Sequence, residues 1–328
     1  MKILFCGMSF PEARERLATL LPDDEILAYP PDTLGDHIAE ADVIVPLVAR
    51  VDGKFIRRGT FGLIQQFGVG LETVDIGAAT RSGVRVARIP SEESGNAASV
   101  AEHAILLMLM LSRRWNEIAR RKQEETRVPW GSPAGQALLG KTVCIVGLGG
   151  VGRELARRLS GFRLRLITVD DHPGRTVPGV DIARACPLER LAEAVAEADY
   201  VMLCINYTPD RFHLVGAREL GAMKKGVFVV NVARGGLLDP DALLAGLRTG
   251  QVGGAGLDVY WDEPVDFSHP LFRENVVATP HIAGVTDISY EGIARAFAGN
   301  MRRYAAGEPP LYLANAPSFL RRPDPNTQ

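Results

Sequence analysis

The stretch Thr142-Val-Cys-Ile-Val-Gly-Leu-Gly-Gly-Val-Gly152 decides the fold. Its first five residues are β-branched or apolar and predict a buried strand. Gly147, Gly149 and Gly152 follow in G-x-G-x-x-G spacing, and Arg153 to Leu159 continues with helical spacing and good helix formers. Gly147 permits the tight turn, Gly149 lets the backbone approach a pyrophosphate, and Gly152 lets helix and strand pack closely. The helix N-terminus then offers N–H groups and a positive dipole end to phosphates. A second strand, Leu164 to Val169, ends in Asp170-Asp171. Asp170 lies 18 residues beyond Gly152, the distance at which a carboxylate meets the adenosine ribose. A carboxylate accepts bonds from a 2′-hydroxyl and repels a 2′-phosphate, so the expected cofactor is NAD rather than NADP. Arg175, beyond His172-Pro-Gly, is the nearby residue that argues the other way.

Upstream, residues 1 to about 90 alternate strand and helix: strands at Lys2 to Cys6, Glu25 to Tyr29, Asp42 to Val48, Leu63 to Phe67 and Val84 to Arg88, and a helix at Pro11 to Leu21. Such alternation implies a parallel sheet with helices on both faces. This half has no G-x-G-x-x-G. A long helix is expected from Ala97 to about Arg114, apolar all round at Ala104 to Leu111 and therefore buried between domains or in a subunit interface. Arg120 to Gly140 reads as an irregular excursion. Downstream, strands are expected at Tyr200 to Cys204, Val227 to Asn231, Ala255 to Val259 and Val276 to Ala278, with helices at Pro187 to Ala198 and Asp239 to Thr249. A last helix, Thr286 to Ala306, is capped by Thr286 and stopped by Gly307-Glu-Pro-Pro. The polar tail Arg321 to Gln328 is expected to be loose. The fold class is thus α/β with two doubly wound parallel-sheet domains. A Rossmann-type dinucleotide domain, 98–284, is inserted into a discontinuous, flavodoxin-like substrate domain, 1–97 and 285–328.

The chain has 328 residues, 46% apolar and 23% charged, which suits two ordinary globular domains. A net charge of −2 gives no electrostatic case for nucleic acid or membrane surfaces. No apolar run is long enough to span a bilayer, and MKILFCGMSF reads as a first strand rather than a signal peptide. Cys6, Cys144, Cys186 and Cys204 show no metal-ligand spacing, so no metal is expected. Cys6, Cys144 and Cys204 fall inside apparent strands, and all four read as reduced and mostly buried, which fits the cytoplasm.

Three polar residues stand where strands end. Arg234 follows Val229-Val-Asn-Val-Ala, Glu263 follows the strand ending at Val259, and His281 follows Val276-Val-Ala-Thr-Pro. In open α/β sheets, ligands bind at the carboxyl ends of strands. A guanidinium that can grip a carboxylate, an imidazole that can move a proton and a carboxylate that can orient the ring suit a dehydrogenase of 2-keto acids.

Taken together, the chain resembles the NAD-dependent D-2-hydroxyacid dehydrogenases, which include phosphoglycerate, glyoxylate and hydroxypyruvate reductases. The motifs are Gly68-Val-Gly70, Asn96-Ala-Ala-Ser-Val-Ala-Glu-His103, the glycine run, Asn231-Val-Ala-Arg-Gly-Gly236, Gly256-Leu-Asp-Val259 with Glu263-Pro264, and Thr279-Pro-His-Ile282. The resemblance implies catalytic roles for Arg234, Glu263 and His281. It implies cofactor contacts for Gly150, Val151, Asp170, Ile205, Val232, Ala233 and Asp258, with Asp258 meeting the carboxamide. It implies that the backbone of Val69 and Gly70 binds the substrate carboxylate, and that the chain forms a homodimer through the helix beginning near Ala97. Thr73, Asn206 and Ala283 depart from common family residues. So does Val45-Pro-Leu-Val-Ala-Arg50, where relatives that take phosphorylated substrates often carry Arg-Ser near Pro46-Leu47; here the positions are apolar. Two alternatives remain open on sequence alone: an NAD(H)-sensing scaffold like the family's corepressor relatives, and a dehydrogenase of formate or phosphite.

Overall fold

The computed structural model describes residues 1–30 and 32–321. They form two compact units, Met1–Asn96 together with the chain from Thr286 onward, and Ala97–Val285.

The first unit is built on five short strands: β1 (Lys2–Phe5), β2 (Glu25–Ala28), β3 (Val43–Val45), β4 (Leu63–Gln65) and β5 (Arg85–Ala87). All pair in parallel, in the order β2-β1-β3-β4-β5, the flavodoxin-like arrangement. Ile3, Leu4, Phe5, Val43, Ile44 and Val45 are fully buried, as strands covered on both faces require. The helix Asp287–Ala305 covers one face. Thr286 caps it, its hydroxyl accepting from Ser289 N at 3.1 Å. Phe297 stacks on Phe5 with ring centres 6.4 Å apart, and Asn300 Nδ2 donates to Gln65 Oε1 at 2.8 Å inside the core.

The strands end one to three residues earlier than their apolar runs, because the chain turns as soon as parallel pairing stops. Arg321, expected in a loose tail, is held: its guanidinium donates to the carbonyls of Ile56 (2.8 Å) and Gly59 (3.0 Å). The rest of that tail, residues 322–328, lies outside the described residues.

The second unit carries seven parallel strands: β6 (Thr142–Val146), β7 (Arg165–Val169), β8 (Arg184–Cys186), β9 (Tyr200–Leu203), β10 (Val227–Asn231), β11 (Val252–Leu257) and β12 (Val276–Ala278). Their order is β12-β11-β10-β9-β6-β7-β8. β6, β9 and β10 are buried throughout.

The helix Asn96–Ser112 buries Ala104, Leu107, Met108 and Leu111 in this unit's core, while Leu106 on another face is 47% exposed. Gly256 explains the close packing: a Cβ there would stand 2.9 Å from that of Leu107. A further helix, Trp115–Glu124, replaces the first part of the expected irregular excursion. Its amphipathic order, with ion pairs from Glu117 to Arg114 and Arg121, supplies the missing signal.

The cysteines are all free. Cys144 lies within β6 and Cys186 within β8, whereas Cys6 and Cys204 fall just past their strands. Burial pushes the thiols of Cys6 and Cys204 up to about 12. Among the described residues, no helix is long and apolar enough to cross a membrane.

Candidate active site

In the second unit, the chain runs from β6 outward through β7 to β8, then returns to the other side of β6 and runs from β9 to β12. This reversal makes a crevice at the carboxyl ends of β6 and β9. The predicted cofactor and catalytic residues of this unit all fall at strand ends on that edge: Gly147 after β6, Asp170 after β7, Ile205 after β9, Val232 to Arg234 after β10, Asp258 after β11 and His281 after β12.

The glycine turn fits a dinucleotide. Gly147 has φ 96°, and a Cβ on it would lie 2.4 Å from Ile205 Cα. A Cβ on Gly152 would lie 1.9 Å from the Gly147 carbonyl oxygen, so only glycine allows the helix to start here. At Gly149 the same construction meets open space, as a backbone that must admit a pyrophosphate should. The helix Gly150–Leu159 has no side-chain cap, which leaves the N–H groups of its first turn, near Gly150 and Val151, for an anion.

Asp170 is 5% exposed. It accepts from Leu148 N at 2.7 Å and from His172 N at 2.9 Å, which ties it to the glycine turn. Arg175 Nη1 approaches it to 3.2 Å. Ile205, Val232 and Ala233 are buried at 4%, 8% and 9% exposure.

Arg234 is positioned by backbone. Asn231, 1% exposed, donates from Nδ2 to the Arg234 carbonyl (2.9 Å) and accepts from Ala233 N (3.1 Å), which shapes the turn after β10. Gly235 then presses on the loop after β11: a Cβ there would sit 1.8 Å from the Tyr260 carbonyl carbon. That loop carries Glu263, whose Oε1 accepts from Tyr260 N at 3.0 Å and whose Oε2 lies 2.8 Å from His281 Nδ1. Burial opposes ionisation of Glu263. The His281 hydrogen bond and charge, the Tyr260 amide and the Arg234 guanidinium outweigh it and hold the carboxyl below its ordinary value. With Nδ1 turned to Glu263, Nε2 of His281 is the nitrogen left for a reacting oxygen.

His281 has φ 55°, a left-handed conformation uncommon for a residue with a Cβ. Such strain persists only where neighbours over-determine it. Asp258 does so here. It is 1% exposed and accepts from Ile282 N (2.8 Å), Ala283 N (2.9 Å) and Thr279 Oγ1 (2.7 Å), so most of its acceptor capacity holds the His281 turn. Because the Thr279 hydroxyl gives its proton to Asp258, it must accept from His103 Nε2, 2.9 Å away. Burial holds His103 below the ordinary imidazole value against the pull of Asp258. Tyr260 adds a further tie, its hydroxyl lying 2.8 Å from the Thr279 carbonyl. His103, Thr279 and Asn231 were not among the expected site residues. All three stood inside the quoted motifs, which was their only signal.

In the first unit, Val69 and Gly70 sit in the turn after β4. Gln66, 7% exposed, shapes it. Its amide donates to the carbonyls of Gly70 (2.6 Å) and Leu47 (2.9 Å) and accepts from Leu47 N (3.1 Å). One side chain thus fixes the Gly68-Val-Gly70 turn to the Pro46-Leu47 loop, where Leu47 itself has φ 55°. Among the described residues, the N–H groups of Val69 and Gly70 find no acceptor.

Residues 105–283 match the model of the D-isomer specific 2-hydroxyacid dehydrogenase NAD-binding domain. The glyoxylate reductase of Thermococcus gammatolerans is 32% identical over 296 residues, 87% of this chain and 86% of that protein. The D-3-phosphoglycerate dehydrogenase of Archaeoglobus fulgidus is 34% identical over 283 residues, 84% of this chain but 52% of the longer relative. Among solved structures, the pyruvate reductase of Chlamydomonas reinhardtii superposes with a TM-score of 0.80 at 29% identity, covering 94% of this chain and 97% of that one. Two parallel α/β sheets, a glycine turn shaped for a dinucleotide and a similarity that covers 87% of the chain in one relative converge on one conclusion: the chain belongs to the NAD-dependent D-isomer specific 2-hydroxyacid dehydrogenases.

Proposed function

We propose that this enzyme reduces small or apolar 2-keto acids to D-2-hydroxy acids, with His281 as the proton donor, Glu263 as the group that orients it and Arg234 as the carboxylate-binding cation. The observation that carries this reading is the 2.8 Å contact of His281 Nδ1 with Glu263, made on the same sheet edge as the dinucleotide turn. Bound NAD(H) supplies the hydride chemistry. The chain's own residues would do the rest. The His281 Nε2 proton passes to the substrate oxygen in reduction and returns in oxidation. Arg234 grips the substrate carboxylate with two parallel bonds. Gly150, Val151, Asp170, Ile205, Val232 and Ala233 line the dinucleotide, and Asp258 serves it while holding the His281 turn. The N–H groups of Val69 and Gly70, which find no acceptor among the described residues, are suited to an anionic oxygen of the substrate.

The apolar Pro46-Leu47 loop favours a short uncharged substrate tail over a phosphorylated one. We further infer a homodimer through the helix Asn96–Ser112, whose Leu106 stays 47% exposed, and a reducing, cytoplasmic setting for the free thiols. The test is turnover of NADH with a panel of 2-keto acids, run beside NAD with formate and with phosphite. Reduction of glyoxylate, pyruvate or hydroxypyruvate supports the reading. Turnover of formate or phosphite alone, or of nothing despite tight NADH binding, overturns it.

A further inference from the structure

The ribose end of the cofactor site differs from what its two acids suggest. Asp170-Asp171 reads in the sequence as a doubly negative wall against a 2′-phosphate. In the fold each acid has its own arginine. Arg175 returns to Asp170 because His172-Pro-Gly-Arg175 closes a turn, with Arg175 N donating to the His172 carbonyl at 3.0 Å. Its Nη1 then lies 3.2 Å from Asp170 Oδ1. Arg211 Nη2 pairs with Asp171 Oδ2 at 2.5 Å. The four side chains sum to no net charge.

The two arginines are held differently. Arg211 is 9% exposed, and its Nη1 also donates to the carbonyl (2.9 Å) and the side-chain oxygen (2.7 Å) of Asn206. It is a fixed brace between the turns after β7 and β9, and Asn206 finds its use there. Arg175 has one carboxylate partner and a side chain 42% exposed. Ion pairs on so exposed a side chain are weakly held. Asp170 is itself largely spent. A carboxylate offers about four acceptor sites, and Leu148 N, His172 N and Arg175 address them. About one acceptor site remains for a ribose hydroxyl. An arginine beside the ribose carboxylate is also the group that accommodates a 2′-phosphate in dinucleotide folds.

We propose that Arg175 makes this site permissive, so that the enzyme uses NADPH as well as NADH, with Arg175 Nη1 still screening Asp170 while its other guanidinium donors pair with the 2′-phosphate. The proposal rests on Asp170 being the ribose carboxylate. It adds that Arg175 sets the NADPH to NADH ratio.

The experiment has a binding arm and a kinetic arm. Calorimetric titration of the purified enzyme with 2′,5′-ADP and with 5′-ADP needs no keto acid, so it stands even if no substrate in the panel is turned over. The wild type should bind both, and Arg175→Ala should weaken 2′,5′-ADP about tenfold to hundredfold more than 5′-ADP, the usual worth of a charged hydrogen bond. In the kinetic arm, the ratio of kcat/KM for NADPH over NADH should fall by a similar factor in Arg175→Ala, while Arg175→Lys keeps part of it. No measurable binding of 2′,5′-ADP to the wild type would overturn the proposal. So would equal losses for both nucleotides in Arg175→Ala, which would make Arg175 a structural partner of Asp170 only.

Discussion

Gly235 touches no group proposed to react, yet its replacement should disable the enzyme. In Gly235→Ala the new Cβ would stand 1.8 Å from the Tyr260 carbonyl carbon, 1.9 Å from its oxygen and 2.4 Å from Trp261 N. All three are backbone atoms, so no rotamer change relieves the clash. Ordinary contact begins at 3.4 Å, and 3.4 Å less 1.8 Å requires the two backbones to part by about 1.6 Å. One backbone carries Arg234 and the other leads to Glu263, which holds His281. A misplacement of about 1 Å can cost about 10²-fold in rate. Gly235→Ala should therefore lower kcat/KM for keto-acid reduction by at least about 10²-fold. The strain itself should cost roughly 1–3 kcal/mol of stability. NADH absorbance gives the rates, and far-UV circular dichroism with NADH fluorescence confirms a folded, cofactor-binding protein. Gly236→Ala is the control. Its Cβ meets mainly the Tyr207 ring edge, at 3.0 Å, and that side chain can swing away. Near wild-type kcat/KM in Gly235→Ala, or equal losses in the two variants, would refute the argument that this contact sets the site.

His281→Ala should lose about 10²–10⁴ in rate, the usual worth of a positioned acid–base group, and still quench with NADH; full activity would remove His281 from the proton path. Arg234→Lys should raise KM and lower kcat, a combined effect of roughly 2–5 kcal/mol if a buried charge pair is broken; steady-state kinetics indistinguishable from wild type would exclude it as the carboxylate clamp. Glu263 supplies a pH test. Its carboxyl is held below the ordinary 4.5, so the stability from its charged form is fully present above that value and is lost as pH falls below it toward the lowered folded value. The melting temperature of Glu263→Gln should accordingly lie below wild type at neutral pH and converge with it in acid; a gap that stays constant down to the acid limit would show that the charge does not matter.

The parts of this molecule visible in its sequence are those coded by neighbours along the chain. The turn Gly147 to Gly152, the acid at Asp170 and the polar residues ending β10, β11 and β12 all announce themselves within a few residues. β8 did not, because Arg184-Ala-Cys186 has no apolar run and stands at a sheet edge. The start of β11, expected at Ala255 but observed at Val252, was hidden by Gly253 and Gly254, which carry no apolar side chain to signal a strand. The ties that hold the His281 turn were not readable either. His103 reaches Thr279 across 176 residues, and no local pattern encodes that pairing. Arg175 was visible, but its return to Asp170 depends on the turn that the fold completes.

The interrupted first unit has a consequence for synthesis. A ribosome delivers β1 to β5 early, with Ile3, Phe5, Val45 and Leu63 ready to be buried on one face. The residues that bury them include Ile293, Phe297 and Met301, and β5 also receives a short antiparallel bridge from Leu313. These emerge only after the whole of Ala97–Val285 has been made. That inserted unit is continuous in sequence and holds its own core, so it can fold while the N-terminal sheet still waits with an apolar face uncovered. Such faces are what aggregation and chaperones act on. The nascent chain is therefore most vulnerable at its beginning, and the last helix ends that exposure.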